Sequence, residues 1–381
     1  MRSEVGAPRG VCERTTGVSE LRGPVHIGDS RSKGRKIERE LSLNPGIRVT
    51  LSARLVIVCF VAISWTVTTH VASAADVLLV DAHSQVDATV SMDRVLSALN
   101  EAGISRVILS SLHGSSRTPD IMALAAAHPD RITPSIGLKG GFRAGFIEDA
   151  ARAQRILTEM GANPRFGAIS EMMIWHEQKG QRAPQVEQSF DAPQVRAGFA
   201  LALDRHWPIV LHIEFGFARE TGHYDQEMRG LEHLLAEYPQ HPIALTHMGQ
   251  LGPGEARRLI EAHENIYFLV SHANPLFIER SGGSMRGGRM PGRSGRIPWT
   301  NLFSGSSLAA QWRELMLAHP QHFVFALDSV YDEDWGPFYV SQVRLWRKAL
   351  DGLPGDVANA IGHHNAELLW HLPPAAAAPD H

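Results

Sequence analysis

Cysteine is nearly absent from this 381-residue chain, which contains only Cys12 and Cys59. Both precede residue 75, at which we expect the mature chain to begin. That mature chain can therefore contain no disulfide framework, no thiol nucleophile and no thiolate ligand. Positive charge is not in excess either, because residues 75–381 carry 26 basic against 34 acidic residues. A basic surface for nucleic acid is therefore not expected.

Long apolar runs are also missing, apart from one segment near the amino terminus. This segment, residues 49–74, has Arg54 before an apolar run at 55–67 and small residues at 72–74. That order is typical of a secretory signal peptide, and the run is shorter than the roughly 20 residues of a membrane span. We therefore predict a periplasmic or secreted protein with no stable membrane span after cleavage. An uncleaved amino-terminal anchor is the alternative.

The rest of the chain divides at this segment. Residues 1–48 carry ten Lys or Arg against six Asp or Glu and show little periodicity. We interpret them as a disordered or untranslated extension. Residues 75–381 have the length of one barrel of roughly 250 residues with its loops. They are predicted to form a single domain.

Eight short apolar runs alternate with helix-like segments after residue 75. The predicted strands are Val77–Gln85, Arg106–Leu112, Ile132–Leu138, Phe166–Met172, Pro208–Phe215, Pro242–Gly249, Ile266–His272 and Phe323–Val330. Helical periodicity lies between them, as in Ser91–Asn100, which Gly103 terminates. Such alternation predicts a parallel sheet, and eight units predict its closure into an α/β barrel of the TIM type, (β/α)8.

The histidines can be sorted by the end of the strand at which they lie. Five of them occur in helix-to-strand turns, namely His128, His241, His263, His319 and His322. In this fold, those turns lie opposite the active-site face. We therefore expect them to have capping or surface roles.

A second set of polar residues lies at the carboxyl ends of the predicted strands. It consists of Asp81, His83, Gln85, Glu171, His212, Glu214, His247, His272 and Asp328. Because side chains alternate along a strand, Asp81, His83 and Gln85 should share one face. Buried imidazoles and carboxylates are costly unless they are paired or bind a metal, and together they suit Zn²⁺ or a similar divalent ion.

Several of these residues lie in segments that resemble the amidohydrolase superfamily, and most closely its amidohydrolase-related branch of metal-dependent hydrolases and decarboxylases. The segments are DAHSQ at 81–85, HIE at 212–214, THMGQ at 246–250, LDS at 327–329 and NAELL at 365–369. This resemblance implies that His83, His212 and Asp328 bind the metal, with Glu171 or Gln85 assisting. It further implies that Asp328 and His247 act as catalytic acid–base groups.

One position departs from the family pattern. Gln85 stands where the family has the second histidine of an H-x-H motif. A neutral amide oxygen is a weaker ligand than imidazole, which favours one metal ion, Zn²⁺, over two. The same departure leaves open a barrel with weak metal binding or none.

The leading functional hypothesis is a metal-dependent hydrolase that uses metal-activated water on an amide, ester or lactone of a small anionic or aromatic molecule. A decarboxylase of the same branch and a catalytically silent binding barrel are the alternatives, and a homo-oligomer stays open. His272, Glu214 and Trp335 are candidate substrate contacts, with ordinary structural roles as the alternative.

Two further features follow predicted strands. Lys139 can contact an anionic group or be an ordinary solvated lysine, and the second role is the more common one. Residues 279–298 contain five arginines and many glycines. They are predicted to form either a lid that attracts anions or a solvated insertion.

Overall fold

The computed structural model describes residues 77–112, 116–139, 150–178, 185–283 and 299–376. All of them belong to one compact unit, Val67–His381. The predicted extension 1–48, the predicted signal peptide 49–74 and most of the arginine-rich segment 279–298 lie outside the described residues. These interpretations therefore stay predictions, as does the domain start at residue 75.

Strands and helices alternate through most of the described chain. The strands are β1 Val80–Val86, β2 Arg106–Ser111, β3 Ile132–Ile136, β4 Ala168–Ile169, β5 Met172–His176, β6 Val186–Glu187, β7 Ile209–Ile213, β8 Ile243–Leu245, β9 Ile266–Leu269, β10 Phe303–Ser304, β11 Ser307–Leu308 and β12 Phe323–Val324. The helices are α1 Met92–Ala102, α2 Thr118–Ala127, α3 Ala150–Gly161, α4 Pro193–Arg205, α5 Phe215–Glu220, α6 Tyr224–Glu237, α7 Pro253–Ala262, α8 Pro275–Gly283, α9 Ala310–Ala318, α10 Pro337–Asp351, α11 Gly355–Asn359 and α12 Asn365–Leu369. Each predicted strand overlaps an observed one.

Local sequence signals fix several helix ends. The side chain of Ser91 caps α1 by accepting a hydrogen bond from the backbone N–H of Arg94. Gly103 ends the same helix in the left-handed conformation, with φ 66°. Such a conformation is cheap for glycine and strained for other residues. Pro193 begins α4 at the first helical position, where no backbone donor is needed.

The parallel strands form two sheets. One has the order β1-β2-β3-β4, and the other has the order β12-β9-β8-β7-β5, with β6 added antiparallel to β5. Only Ser170 and Glu171 separate β4 from β5, so consecutive residues join one edge of the first sheet to the second. At the other edge, the backbone N–H of Ala82 donates to Phe325, that of Asp328 to His83 and that of Gln85 to Ser329. These bonds join the edges of the two sheets, as the predicted TIM-type barrel requires, although the strand pairings themselves form two sheets and not one closed sheet.

The interior of the barrel is layered. Small and branched apolar side chains fill its lower part, among them Val80, Ala168, Val210, Ala244 and Val324. Two residues further along several strands, the inward positions become polar, as in the step from Val210 to His212. Because these polar positions all lie towards the carboxyl ends of the strands, they form one layer at the mouth of the barrel.

The first strand does not follow simple alternation. Its register with β2 shifts between Asp81 and Ser84. Asp81 accepts hydrogen bonds from the hydroxyl of Tyr339 on α10 at 2.9 Å and from the backbone N–H of Leu327 at 3.0 Å. The expectation that Asp81 shares a face with His83 and Gln85 is therefore wrong, because the irregularity turns Asp81 towards the helices.

Candidate active site

The carboxylate of Glu171 lies at the centre of the polar layer and is fully buried. Its Oε2 lies 2.7 Å from Nδ1 of His212 and accepts a hydrogen bond from the hydroxyl of Thr246 at 3.0 Å. Its Oε1 forms an ion pair with the ammonium group of Lys139 and accepts from Nε2 of Gln85 at 3.2 Å. Glu171 therefore joins side chains from opposite sides of the barrel mouth.

Asp328 is the second buried carboxylate of the layer. Its Oδ1 accepts a hydrogen bond from Nε2 of Gln85 at 2.7 Å and lies 3.4 Å from Nε2 of His83. Its Oδ2 lies 3.5 Å from Nε2 of both His247 and His272. The Gln85 amide nitrogen thus bridges Glu171 and Asp328, an orientation in which its hydrogens rather than its oxygen face the acids.

The donor atoms have the spacing and chemistry of a divalent-metal site. Among the described residues, four sets share this close spacing: His83, Glu171 and Asp328; Glu171, His212 and His247; His247, His272 and Asp328; and His176, His212 and Glu214. Nε2 of His83 lies 3.4 Å from one oxygen of each acid and is buried without a hydrogen bond to any described residue. Ligands about 2.1 Å from a tetrahedral Zn²⁺ would be about 3.4 Å apart, so the residues present fit such an ion.

The electrostatics of the acids favour their charged forms. Burial disfavours the Glu171 carboxylate, but Lys139, His212 and His83 outweigh burial and hold its pKa well below the ordinary range. The pKa of Asp328 is lowered likewise, because Lys139 and His83 outweigh burial and the repulsion from Glu171. Both acids are therefore poised as anions that can bind a cation or accept a proton.

The histidines divide into two electrostatic classes. Burial alone would lower the pKa values of His83 and His212, but the nearby acids outweigh it and raise both. Burial and neighbouring histidines hold the pKa of His247 well below its usual value. Burial also lowers the pKa of His272 to about 4. His247 and His272 are therefore neutral imidazoles at neutral pH.

Aromatic rings pack around these two neutral imidazoles. The rings of His247 and His272 stack with centroids 4.2 Å apart, and Phe277 stacks on the other face of His272 at 3.5 Å. Trp299 meets the edges of both imidazoles at 5.4 and 5.2 Å. This packing fixes the ring planes and supplies the low-polarity surroundings that lower their pKa values.

Backbone strain is concentrated at the mouth. Among the described residues, seven non-glycine residues have positive φ, and five of these lie at the strand ends of the site. They are His247, Met248, Gln250, His272 and Asp328. A left-handed conformation costs an L-residue about 1–2 kcal/mol and persists only where surrounding contacts enforce it. Such strain is characteristic of functional sites.

The structure brings most of the predicted site residues together. The acid pair, Glu171 and Asp328, is surrounded by four other predicted site residues, namely His83, Gln85, His247 and His272. His212 does not form one compact triad with His83 and Asp328, because it approaches the other oxygen of Glu171. Glu214 lies behind His212, with Oε1 3.2 Å from its Nε2, while Oε2 accepts the backbone N–H of Glu177. Glu214 thus orients a histidine at the site.

Trp335 has a different place from the predicted substrate contact. It is fully buried, stacks on Tyr339 and donates from its indole nitrogen to the backbone carbonyl of Gln85 at 3.1 Å. The tryptophan therefore supports β1 from behind. The sequence position of Trp335 after β12 did not indicate this role, because it does not show that the ring packs against Tyr339 of α10.

Three residues at the site were missed or undervalued. Lys139 reaches Glu171, although a solvated role is the more common one for a lysine in such a position. His176 is grouped with His212 and Glu214, but the predicted fourth strand ended at Met172, four residues too early. Thr246 donates to Glu171 from the end of β8. Continuing the strand alternation from Met172 would have indicated His176.

Comparison with known proteins agrees with this geometry. The amidohydrolase family model matches residues 67–372. No curated protein matches the chain significantly. Among the described residues, no helix is both long and apolar enough to span a membrane.

Several solved structures are similar at low sequence identity. A dihydroorotase from Saccharomyces cerevisiae shares 11% identity, with 78% of this chain and 85% of that one covered and a TM-score of 0.49. A probable 2-pyrone-4,6-dicarboxylic acid hydrolase from Acinetobacter baumannii shares 10%, with 77% and 99% covered and a TM-score of 0.46. An uncharacterised TIM-barrel protein from Bordetella bronchiseptica shares 14%, with 74% and 83% covered and a TM-score of 0.48. Similarity this low does not bear on substrate or mechanism.

Proposed function

The chain belongs to the amidohydrolase family, and from this premise we propose that it hydrolyses an amide, ester or lactone of a small molecule with the help of one bound divalent ion, Zn²⁺. The carrying observation is the buried pair Glu171 and Asp328, which four imidazoles surround within 4 Å. Buried acids of this kind are costly inside a barrel unless they are paired or bind a cation, and Lys139 offsets one of the two negative charges.

The charges of the buried groups support a single ion. Glu171, Asp328 and Glu214 contribute three negative charges, and Lys139 contributes one positive charge. A histidine that binds an ion must be neutral, although the acids raise the pKa values of His83 and His212 when no ion is bound. With the histidines neutral, two negative charges are left, which is the charge that one divalent ion would balance. His83, Glu171 and Asp328 would hold it, and His212 and His247 approach from the other oxygens of the acids.

A bound divalent ion supplies Lewis acidity and makes a coordinated water a nucleophile near neutral pH. Asp328 is the group that takes the proton from the attacking water, because it is a buried carboxylate at the mouth of the barrel and its Oδ2 faces the imidazoles. Gln85 donates to the other oxygen at 2.7 Å and so fixes the carboxylate plane.

His247 acts on the substrate as a neutral imidazole. Its Nδ1 lies 3.0 Å from the hydroxyl of Ser271, and that hydroxyl already accepts the backbone N–H of His247. When Ser271 donates to Nδ1, the proton of the imidazole is on Nε2, which faces the acid pair. That N–H can then polarise the carbonyl oxygen of the substrate, while the proton that Asp328 takes from the water passes to the leaving group.

Metal analysis tests the proposal. Purified protein supplied with zinc should contain about one ion per chain by mass spectrometry of the metal. His83→Ala should lose most of it, whereas His322→Ala, at the opposite end of the barrel, should keep it. A folded wild-type protein without stoichiometric metal would overturn the metal-dependent mechanism.

A substrate screen tests the reaction type. Esters, lactones, amides and aromatic carboxylates should be assayed in parallel for acid release and for CO₂ release. Acid release that requires the ion supports the hydrolase. CO₂ release without hydrolysis would assign the chain to the decarboxylases, and no turnover of any class by the metal-loaded protein would favour a binding barrel.

A further inference from the structure

Lys139 extends from the end of β3 into the acid pair. Its ammonium group forms an ion pair with Oε1 of Glu171, and only 17% of its side chain is exposed. Holding a lysine so far from water is unfavourable unless its charge is offset, and here a fully buried carboxylate offsets it. Lys139 is therefore part of the charge balance of the site.

The oxygen that Lys139 contacts is the same one that faces His83. Nε2 of His83 lies 3.4 Å from Oε1 of Glu171 and makes no hydrogen bond within the part of the chain that the structure describes. An ion held by these two groups would lie about 2.1 Å from that oxygen. The ammonium group on the same oxygen would then be roughly 4–5 Å from a divalent charge, in surroundings that screen little. The two cations would repel each other strongly.

We propose that Lys139 is a tethered cation that competes with the metal ion for Oε1 of Glu171. The inference rests on the proposed metal-dependent function and concerns what limits metal binding. Without the ion, the ammonium group neutralises the face of Glu171 that His83 and Gln85 share. When the ion binds, the Lys139–Glu171 pair weakens, and the remaining positive charge disfavours a second ion.

The side-chain amide of Gln85 also disfavours the binding of a second ion. Its nitrogen donates to both acids, at 3.2 Å to Glu171 and 2.7 Å to Asp328. These hydrogens and the ammonium group together occupy the lone pairs that a second cation would need. The site therefore takes one metal ion from solution, and its second cation is the ammonium group of Lys139.

Zinc affinity and stoichiometry, measured by chelator competition on the full chain, test the competition. Lys139→Met removes the charge while keeping the length and should bind zinc about tenfold to a hundredfold more tightly than wild type. Lys139→Arg keeps the charge and should stay within about threefold of wild type. Lys348→Met, which removes an exposed lysine of α10, should bind like wild type.

The outcomes separate this inference from the proposed function. If wild type binds one ion and Lys139→Met binds it no more tightly, the competition is disproved while the hydrolase proposal stands. Equal tightening in Lys348→Met would also disprove it, because the effect would then be one of net charge. If wild type binds no ion, the proposed function itself fails. Melting curves verify folding, and Lys139→Gln replaces Lys139→Met if the latter does not fold.

Discussion

The two ends of the barrel use the same residue types for different purposes. At the amino ends of the strands, Nδ1 of His322 lies 2.7 Å from the carbonyl of Ile266, and Nε2 of His241 lies 2.8 Å from that of Trp207. At the carboxyl ends, His83, His212 and His247 face carboxylates and one another. Histidine is a turn-stabilising residue at one end and a candidate ligand at the other.

The positively charged side chains also differ between the two ends of the barrel. At the amino end, the guanidinium group of Arg106 donates to the carbonyls of Asp130 and Pro373, and that of Arg131 donates to those of Ser105 and Ile104. At the mouth, Lys139 pairs with a buried carboxylate instead. Backbone carbonyls satisfy a cation without a buried anion, so the amino end needs no ion from solution. The barrel mouth carries excess negative charge, and it has potential ligand atoms that an ion from solution could bind.

The largest expected effect is at the mouth. Asp328→Asn keeps the shape of the side chain but removes its negative charge, and with it both the proton acceptor and a proposed metal ligand. It should lower kcat/KM about 10²- to 10⁴-fold on the best substrate found. Asp332→Asn, four residues later on an exposed ion pair with Arg94, is the matched control and should leave kcat/KM unchanged. Equal rates in wild type and Asp328→Asn would remove Asp328 from the mechanism.

A smaller effect is expected for Glu214, which contacts His212 and not the acid pair itself. Glu214→Ala should weaken zinc binding about 10- to 100-fold, because His212 loses the partner that orients its ring. Glu214→Gln keeps an acceptor for His212 and should recover part of the affinity. The measurement is chelator competition, and unchanged affinity in Glu214→Ala would show that His212 is held without Glu214.

The pH dependence of stability should reveal the ionisation of a buried acid outside the site, Glu227. Burial and then the nearby Glu187 raise the pKa of Glu227, in the first turn of α6, to about 7. Its unfolded pKa is about 4.3, so ionisation destabilises the fold progressively between about pH 4 and pH 7 and fully above it. Glu227→Gln should therefore stabilise the protein at pH 8, by about 1–2 kcal/mol, and have little effect at pH 4.

Urea unfolding of wild type and Glu227→Gln at both pH values gives this difference directly. An equal effect of the substitution at pH 4 and pH 8 would contradict the assignment. Glu171 and Glu227 therefore differ in the direction of their pKa shifts, because nearby cations lower the pKa of Glu171 whereas burial raises that of Glu227.

The smallest effect is expected at the amino end. His322→Ala removes the hydrogen bond to the carbonyl of Ile266 and should cost about 1 kcal/mol of unfolding free energy. Zinc content and kcat should not change, because the residue lies at the opposite end of the strands. Loss of metal in this variant, with the fold intact, would break the division between the two ends.

Much of the fold could be predicted from local patterns. The predicted helix Ser91–Asn100 is observed as α1, Met92–Ala102, because Ser91 caps its start and Gly103 terminates it. The fourth strand was predicted less well, because Ser170 and Glu171 interrupt its apolar run and the chain continues as β5 to His176. The five helix-to-strand histidines were correctly separated from the site, and His322 and His241 have the structural contacts expected of them.

The sequence by itself determined which residues form strands, in what order, and at which end of each strand the polar side chains lie. Hydrophobic periodicity and turn residues encode these properties locally. Tertiary structure alone decided which polar atoms meet. The pairing of Lys139 with Glu171, the bridge from Gln85 to both acids and the outward turn of Asp81 are examples. These contacts join distant parts of the chain, and closure of the barrel and one register shift set their geometry.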